Sequence, residues 1–324
     1  MADLRVQYMG LQLENPLVVS SSGLTRTAEQ VKQCEAAGAG AVVLKSLFEE
    51  EIQAHIDDES GGTEHTEAVD YIRELETDAG IQAYTRVIRE AKSSVKIPVI
   101  ASINAVTRNW WEDHVAEIAR AGADALELNI SLMPYDYKNT EQEILDFYVR
   151  TVEAVRARVD LPLAVKIGQH FTSIPALVDR LRWAGAQAVV LFNRFYQLDI
   201  DIENLRLQSG SPLSIPADLA LTLRWLTVTY GKTEAQLAAN GGIHSGADAV
   251  KALLAGAEVA QVCSTLYQNQ YSHLTTMRDE IASWMDRHGY SEISQFRGKL
   301  SQKKSSTPEA FERLQYIKAL VGHE

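Results

Sequence analysis

Residues 236–263 read QLAANGGIHSGADAVKALLAGAEVAQVC. Two short apolar runs, Gln236–Asn240 and Val259–Cys263, bracket a segment with helical spacing, Gly246–Leu254. Each run has the length of a parallel strand buried on both faces. The segment between them ends on Ala255-Gly256, and glycine after the last helical turn takes the left-handed conformation that stops a helix. The stretch therefore reads as a strand, a helix and a second strand.

The same unit recurs through the chain. Further apolar runs stand at Pro16–Ser20, Ala41–Lys45, Pro98–Ile103, Ala125–Ile130, Pro162–Ile167 and Ala188–Phe192. Helix-spaced segments follow at Thr27–Ala37, Ile81–Ser94, Trp110–Ala121, Glu141–Val159, Ser173–Ala184, Ala217–Tyr230 and Ser272–His288. Ala37-Gly38, Ala121-Gly122 and Ala184-Gly185 repeat the small-residue stop. Eight strand–helix units predict an α/β fold of the (β/α)8 TIM barrel type. A doubly wound open sheet is the competing reading, but SSGLTRT after the first strand is not the GxGxxG turn of a dinucleotide fold. No Pro/Gly/Ser-rich linker divides the chain, so residues 1–324 read as one domain.

A barrel needs roughly 250 residues, and the excess has recognisable places. Leu4–Leu13 reads as an N-terminal β-hairpin turned at Met9-Gly10, closing the bottom of the barrel. Three strand-to-helix loops are long: Phe48–Asp78, Leu132–Thr140 and Arg194–Pro216. Such loops sit at the C-terminal face, where barrel enzymes keep their sites. A C-terminal tail from about residue 291 carries a basic stretch, Lys299–Lys304, read as solvated surface, and a final helix, Pro308–Leu320.

The 324 residues carry 31 Lys+Arg against 43 Asp+Glu, a formal net charge of −12. That balance, with no basic run to offset it, argues against a nucleic-acid partner. The two cysteines, Cys34 and Cys263, have no ligand or disulfide-framework spacing. No HxH or HExxH occurs among His55, His65, His114 and His170, so no metal site is expected. MADLRVQYMG is not a secretory signal, and no apolar run reaches the ~18–20 residues of a membrane span. A cytoplasmic protein without a membrane segment is expected.

The chemistry concentrates at strand ends. Gly241-Gly242 after the seventh strand and Ser264-Thr265 after the eighth stand where barrels commonly hold a phosphate on backbone N–H groups. Lys45 and Lys166 end the second and fifth strands. A lysine there can stabilise an anionic cofactor or intermediate, or form a Schiff base when desolvated. With Asn104, Asn129 and Asn193 they make a polar ring suited to a planar ligand rich in carbonyl and N–H groups, such as a flavin or a pyrimidine. Trp110-Trp111 reads as outer packing and Cys34 as a structural residue.

Taken together, these residues resemble the dihydroorotate dehydrogenase family of FMN-containing (β/α)8 barrels over nearly the whole chain. Ser21-Ser22-Gly23 resembles the family's Ala-Ser-Gly turn beneath the flavin, and Lys45-Ser46 its Lys-Ser or Lys-Thr pair. Glu127–Ser131 (ELNIS) resembles the Asn-x-Ser motif, and Val165-Lys166-Ile167 the flavin-contacting lysine strand. Asn193 resembles a substrate-contacting asparagine, although Arg194 follows it in place of the usual Thr or Ser. NGGIHSGADA at 240–249 with LAGA at 254–257 matches the phosphate-binding signature, and Phe296–Lys299 (FRGK) the C-terminal ending.

The resemblance implies an FMN held by Ser21, Ser22, Gly23, Lys45, Ser46, Asn104, Asn129, Lys166, Gly241, Gly242, Ser264 and Thr265. It implies substrate contacts from Lys45, Asn129 and Asn193, oxidation of dihydroorotate to orotate in pyrimidine biosynthesis, and a homodimer. The electron acceptor would be fumarate or a partner flavin/iron–sulfur subunit, because the first strand begins at Pro16 without the helical extension of the membrane-bound branch. Two features depart from the family. Leu132 occupies the position of the Cys or Ser base that removes the C5 proton, and leucine accepts no proton. Tyr71–Glu76 stands where the family has Met-Gly-Leu-Pro-Asn. Catalytic candidates are then Lys45 with Ser131 and Tyr135, Asp136 lying alongside. The alternatives are a related dihydropyrimidine-like substrate, a flavin-binding homologue of lost or different activity, and a flavin-free phosphate-binding lyase or isomerase using Lys166.

Overall fold

A computed structural model of the chain describes residues 2–48, 66–104, 108–132, 134–194 and 197–312. The barrel strands are β3 (Leu17–Val19), β4 (Ala41–Val43), β6 (Val99–Asn104), β7 (Ala125–Asn129), β8 (Leu163–Ile167), β9 (Ala188–Leu191), β12 (Gln236–Asn240) and β13 (Val259–Val262). Each pairs in parallel with the next, and β13 returns to β3, so the sheet closes. A two-residue strand, β5 (Leu47–Phe48), continues β4 past Lys45 and pairs with the upper end of β6. The expected (β/α)8 TIM barrel is present. Its strands are buried on both faces because side chains fill the interior and helices cover the outside.

The covering helices are α1 (Ala28–Ala36), α2 (Thr66–Ser94), α3 (Arg108–Arg120), α4 (Glu141–Arg156), α5 (Ile174–Trp183), α6 (Leu219–Thr229) and α7 (Gly246–Ala255). Beyond β13 come a short α8 (Ser264–Asn269) and α9 (His273–His288). Local sequence explains their starts and stops. Thr27 with Gln30, Thr140 with Glu143, and Ser245 with Asp248 form reciprocal capping boxes on α1, α4 and α7. Gly256 ends α7 at φ +119°, its N–H donating to the carbonyl of Ala252.

The N-terminal hairpin is also as expected. β1 (Val6–Tyr8) pairs with β2 (Leu11–Leu13), and both turn residues, Met9 and Gly10, have positive φ. It plugs the N-terminal end of the barrel: Tyr8 is fully buried, and Gln236 at the start of β12 accepts from Met9 N (2.6 Å) and donates to Gln7 O (3.0 Å).

Three expectations are corrected. The Phe48–Asp78 loop is shorter, because α2 begins at Thr66 and runs unbroken into the predicted Ile81–Ser94 segment. Residues 66–79 hold three Glu, two Ala, one Leu and one Arg and contain neither Gly nor Pro, so nothing in them breaks a helix; residues 49–65 lie outside the described set. The Arg194–Pro216 loop contains an antiparallel hairpin, β10 (Leu198–Asp201) with β11 (Arg206–Ser209). In the tail, the described part of Pro308–Leu320 is a single 3-10 turn, Pro308–Phe311, with residues 313–324 outside the described set. The tail is tied to the barrel by Gly298 N donating to Leu253 O, Leu300 N to Leu254 O, and an Arg297–Glu258 ion pair.

Candidate active site at the C-terminal mouth

Strand alternation decides which side chains face inward. Register puts Ser102 of β6 beside Glu127 of β7, Asn129 beside Lys166 of β8, and Asn240 of β12 beside Gln261 of β13. These polar residues lie inside an otherwise apolar barrel, and hydrogen bonds make them two connected groups.

The first group carries two members of the expected polar ring, Asn129 and Asn193. Ser21 Oγ is 3.0 Å from Ser46 Oγ and accepts from Ser46 N at 2.8 Å; Ser46 Oγ is 2.8 Å from Ser102 Oγ. Asn129 Nδ2 donates to Ser46 Oγ (3.5 Å), and Asn193 Nδ2 donates to Asn129 Oδ1 (3.0 Å). Both asparagine amides are thereby oriented. Tyr84 of α2 supports this layer from outside, donating to Ser102 O (2.9 Å) and accepting from Ser102 N (2.8 Å).

The second group is a line of donors across the interior. Lys166 Nζ donates to Ser20 Oγ (3.2 Å), Ser20 Oγ donates to Gln261 Oε1 (3.2 Å), and Gln261 Nε2 donates to Glu127 Oε2 (2.7 Å). All four residues are buried, Lys166 only 5% exposed and Glu127 1%. Burial pushes the Glu127 carboxyl above the usual range, while the Lys166 charge and the Gln261 hydrogen bond pull it down.

A cleft of about 160 Å³ opens above this floor. Ser20, Ser21, Lys166, Asn193, Gly241, Gly242 and Ser264 line it, together with Arg194, Ser214, Asn240, Gln261 and Cys263. Gly241 has φ +93°, and the place a Cβ would take is open space; Gly242, at φ +71°, packs against the backbone of Asp218 and Leu219. Backbone can thus approach a ligand at the first glycine while the second fixes the turn. Ser214 links the two phosphate-type turns, accepting from Gly242 N at 3.3 Å and donating its own N–H to Ser264 Oγ at 2.9 Å. The start of α7 is closed by two acids: Asp248 accepts from His244 N and Ser245 N, and Glu280 of α9 from Gly246 N at 2.6 Å. That helix end is thus occupied, which leaves the Gly241-Gly242 turn and Ser264 as the groups that could hold an anion.

Other expected residues stand around the cleft. Lys45 is half-buried with its ammonium 5.1 Å from the centre of the Phe48 ring, and Asn104 is buried beside Phe48 in register. Ser22 caps the 3-10 turn Gly23–Thr25, accepting from Leu24 N, and a Cβ on Gly23 would meet the Tyr267 hydroxyl. Thr265 lies in the first turn of α8, its hydroxyl donating to His244 O at 3.1 Å. Ser131 is exposed just beyond β7, and Tyr135 is 89% exposed on the following loop. The loop after β8 brings the imidazole of His170 to the backbone of Leu132, and burial lowers its pKa.

Sequence reasoning missed Ser20, Ser102, Gln261, Arg194 and Ser214 as site residues. Alternation along β3, β6 and β13 could have flagged the first three as inward polar positions. Arg194 and Ser214 meet only through the folded hairpin loop: Arg194 donates to Ser211 O and Leu213 O (3.1 Å each) and pairs with Asp218 at 3.1 Å. Among the described residues no group of three His, Cys, Asp or Glu side chains is placed to hold a metal ion, and no helix is long and apolar enough to cross a membrane.

The dihydroorotate dehydrogenase family profile matches residues 3–285. The catalytic subunit of dihydroorotate dehydrogenase B (NAD(+)) from Pyrococcus furiosus is 26% identical over 93% of this chain and 99% of its own length. Dihydroorotate dehydrogenase A (fumarate) from Limosilactobacillus reuteri is 25% identical over 90% of this chain and 96% of its own length. A chloroplastic dihydropyrimidine dehydrogenase (NADP(+)) from Arabidopsis thaliana is 24% identical over 91% of this chain and 76% of its own length. A closed parallel barrel, a polar cleft at its C-terminal mouth and a family match spanning both place this chain in the dihydroorotate dehydrogenase family.

Proposed function

We propose that the chain is one FMN-binding barrel domain, an oxidoreductase that oxidises a CH–CH bond of dihydroorotate, in pyrimidine biosynthesis, or of a related dihydropyrimidine-like substrate. The observation that carries this reading is the convergence on one cleft of Lys166, of Asn193 oriented by Asn129, and of the Gly241-Gly242 turn. The cleft fits FMN: it has open space above a positive-φ glycine, a hydroxyl on Ser264, and a buried ammonium at the floor. When bound, FMN supplies the two-electron acceptor for a hydride.

The chain's own residues do the rest. Gly241, Gly242 and Ser264 would hold the phosphate, and Lys166 supplies a positive charge that favours electron-rich states of the ligand. Ser21, Ser22, Gly23, Lys45, Ser46, Asn104, Asn129 and Thr265 complete the bed. Lys45, Asn129 and Asn193 would orient the substrate. Lys45, Ser131 and Tyr135 are the candidates for catalytic work, the last two for accepting the substrate proton. His170 joins them, because a lowered pKa keeps its imidazole neutral and able to accept a proton at neutral pH.

We place the protein in the cytoplasm as a homodimer, with fumarate or a partner subunit taking its electrons. The β10–β11 hairpin supports an assembly surface. It exposes Leu198, Ile200, Leu207, Ile202 and Leu205 in a two-stranded sheet of its own, which is marginal without cover. Leu132 favours a substrate other than dihydroorotate. Anaerobic titration of the FMN-loaded protein with dihydroorotate and with uncharged dihydropyrimidines tests the reading. Bleaching by one of them supports it. A flavin that none of them reduces points instead to a homologue of lost or different activity.

A further inference from the structure

We propose that Glu127 is a positioning residue for the flavin: through Gln261 and Ser20 it holds the Lys166 ammonium at the cleft floor and sets the charge beneath the cofactor. This rests on the FMN reading above.

The two ends fix the polarity of the line. Lys166 can only donate, so Ser20 Oγ accepts and sends its one hydrogen to Gln261 Oε1; the amide of Gln261 then faces Glu127 with its N–H. Gln261 thus has one orientation, and rotating it would break both of its bonds. An amide does not readily pass a proton along, so the line conveys orientation and charge. Glu127 Oε1 is buried with no hydrogen-bond partner. A carboxyl kept in such a place, one strand from a buried lysine, compensates that lysine's charge. Among the described residues four groups interact with Glu127 by charge or hydrogen bond. Lys166 lies on β8 and Gln261 on β13, while Tyr8 of the bottom hairpin and Tyr84 of α2 are phenols that feel the carboxylate. Lys166 is the one cation among them.

The consequence concerns reduction. An ionised Glu127 opposes added negative charge on a ligand above Lys166, and a neutral residue of the same shape does not. Because burial raises the carboxyl pKa, the opposition grows as pH rises and the group ionises.

The test compares FMN-loaded wild type with Glu127→Gln, measuring the bound flavin's reduction potential between pH 6 and 9. At the alkaline end the variant is expected to favour reduced over oxidised FMN about tenfold more than wild type. For a two-electron couple that is about 30 mV. The difference shrinks as pH falls and Glu127 takes up a proton, and it falls below about twofold when both proteins also carry Lys166→Met. Ser20→Ala, which cuts the line without removing charge, weakens FMN binding several-fold while thermal unfolding stays near wild type. Equal potentials at every pH, or a shift undiminished by Lys166→Met, overturn the proposal while leaving the cofactor reading intact. A wild type that takes up no FMN overturns the cofactor reading, and this proposal with it.

Discussion

At the scale of single residues, one position decides the chemistry and another the pH response. Leu132 stands at the position that the family resemblance gives to the base, and its backbone hydrogen-bonds His170. If the missing base is all that separates this chain from dihydroorotate oxidation, Leu132→Cys or Leu132→Ser raises that activity by at least tenfold, within the range general bases contribute. Steady-state turnover with dihydroorotate checks it, and no gain assigns the site to another substrate. Glu258 gives a stability prediction. Burial pushes its carboxyl up to about 7 from an ordinary 4.5, against the pull of Arg297. A raised carboxyl favours the fold below its unfolded pKa, and that benefit is lost as pH climbs through the folded value. Wild type should therefore lose on the order of 2 kcal/mol relative to Glu258→Gln between pH 5 and 8, read from urea unfolding at each pH. A difference independent of pH would refute the titration. The interior line from Lys166 to Glu127 was not legible in the sequence. Its links join residues 134, 146 and 241 positions apart, and only strand closure brings them together.

At the scale of elements, local signals read well where they repeat and poorly where they do not. Helical spacing from Gly246 and the Ala255-Gly256 stop marked α7 within a residue, because such signals are local. The start of α2 was missed because Gly80 separates residues 66–79 from Ile81–Ser94, and a glycine inside a helical pattern weakens the signal for one continuous helix. The β10–β11 hairpin alternates as LDID and RLQS, yet neither face is buried, so burial-based reading passes over it. The Gly241-Gly242 turn was legible in position, but the different surroundings of the two glycines separate only in the structure. Gly241→Ala should cost about 1–2 kcal/mol for its left-handed backbone and, by pointing a methyl into the cleft, weaken FMN binding at least tenfold. Gly242→Ala should cost more stability, since its Cβ meets the backbone of Asp218 and Leu219. Urea denaturation and FMN titration of both variants check the order; equal stability would contradict the packing described.

At the scale of the molecule, the barrel uses its acidic charge outside and its decisive cation within. The net −12 discourages polyanionic partners, while Lys166 sits buried beneath the cleft. The exposed hairpin is the surface most in need of cover. Ile200 and Leu207 face one another in register near its middle. Ile200→Glu with Leu207→Glu should convert the proposed homodimer to monomer without changing the barrel, as read by light scattering and circular dichroism. An unchanged mass would move the assembly surface elsewhere. The central claim is that this cleft holds FMN, and the most direct measurement is the visible absorbance of the purified protein after FMN is added and the excess removed. The account predicts one FMN per chain, with affinity at least tenfold weaker in Gly241→Ala. A wild-type protein that stays colourless would contradict it.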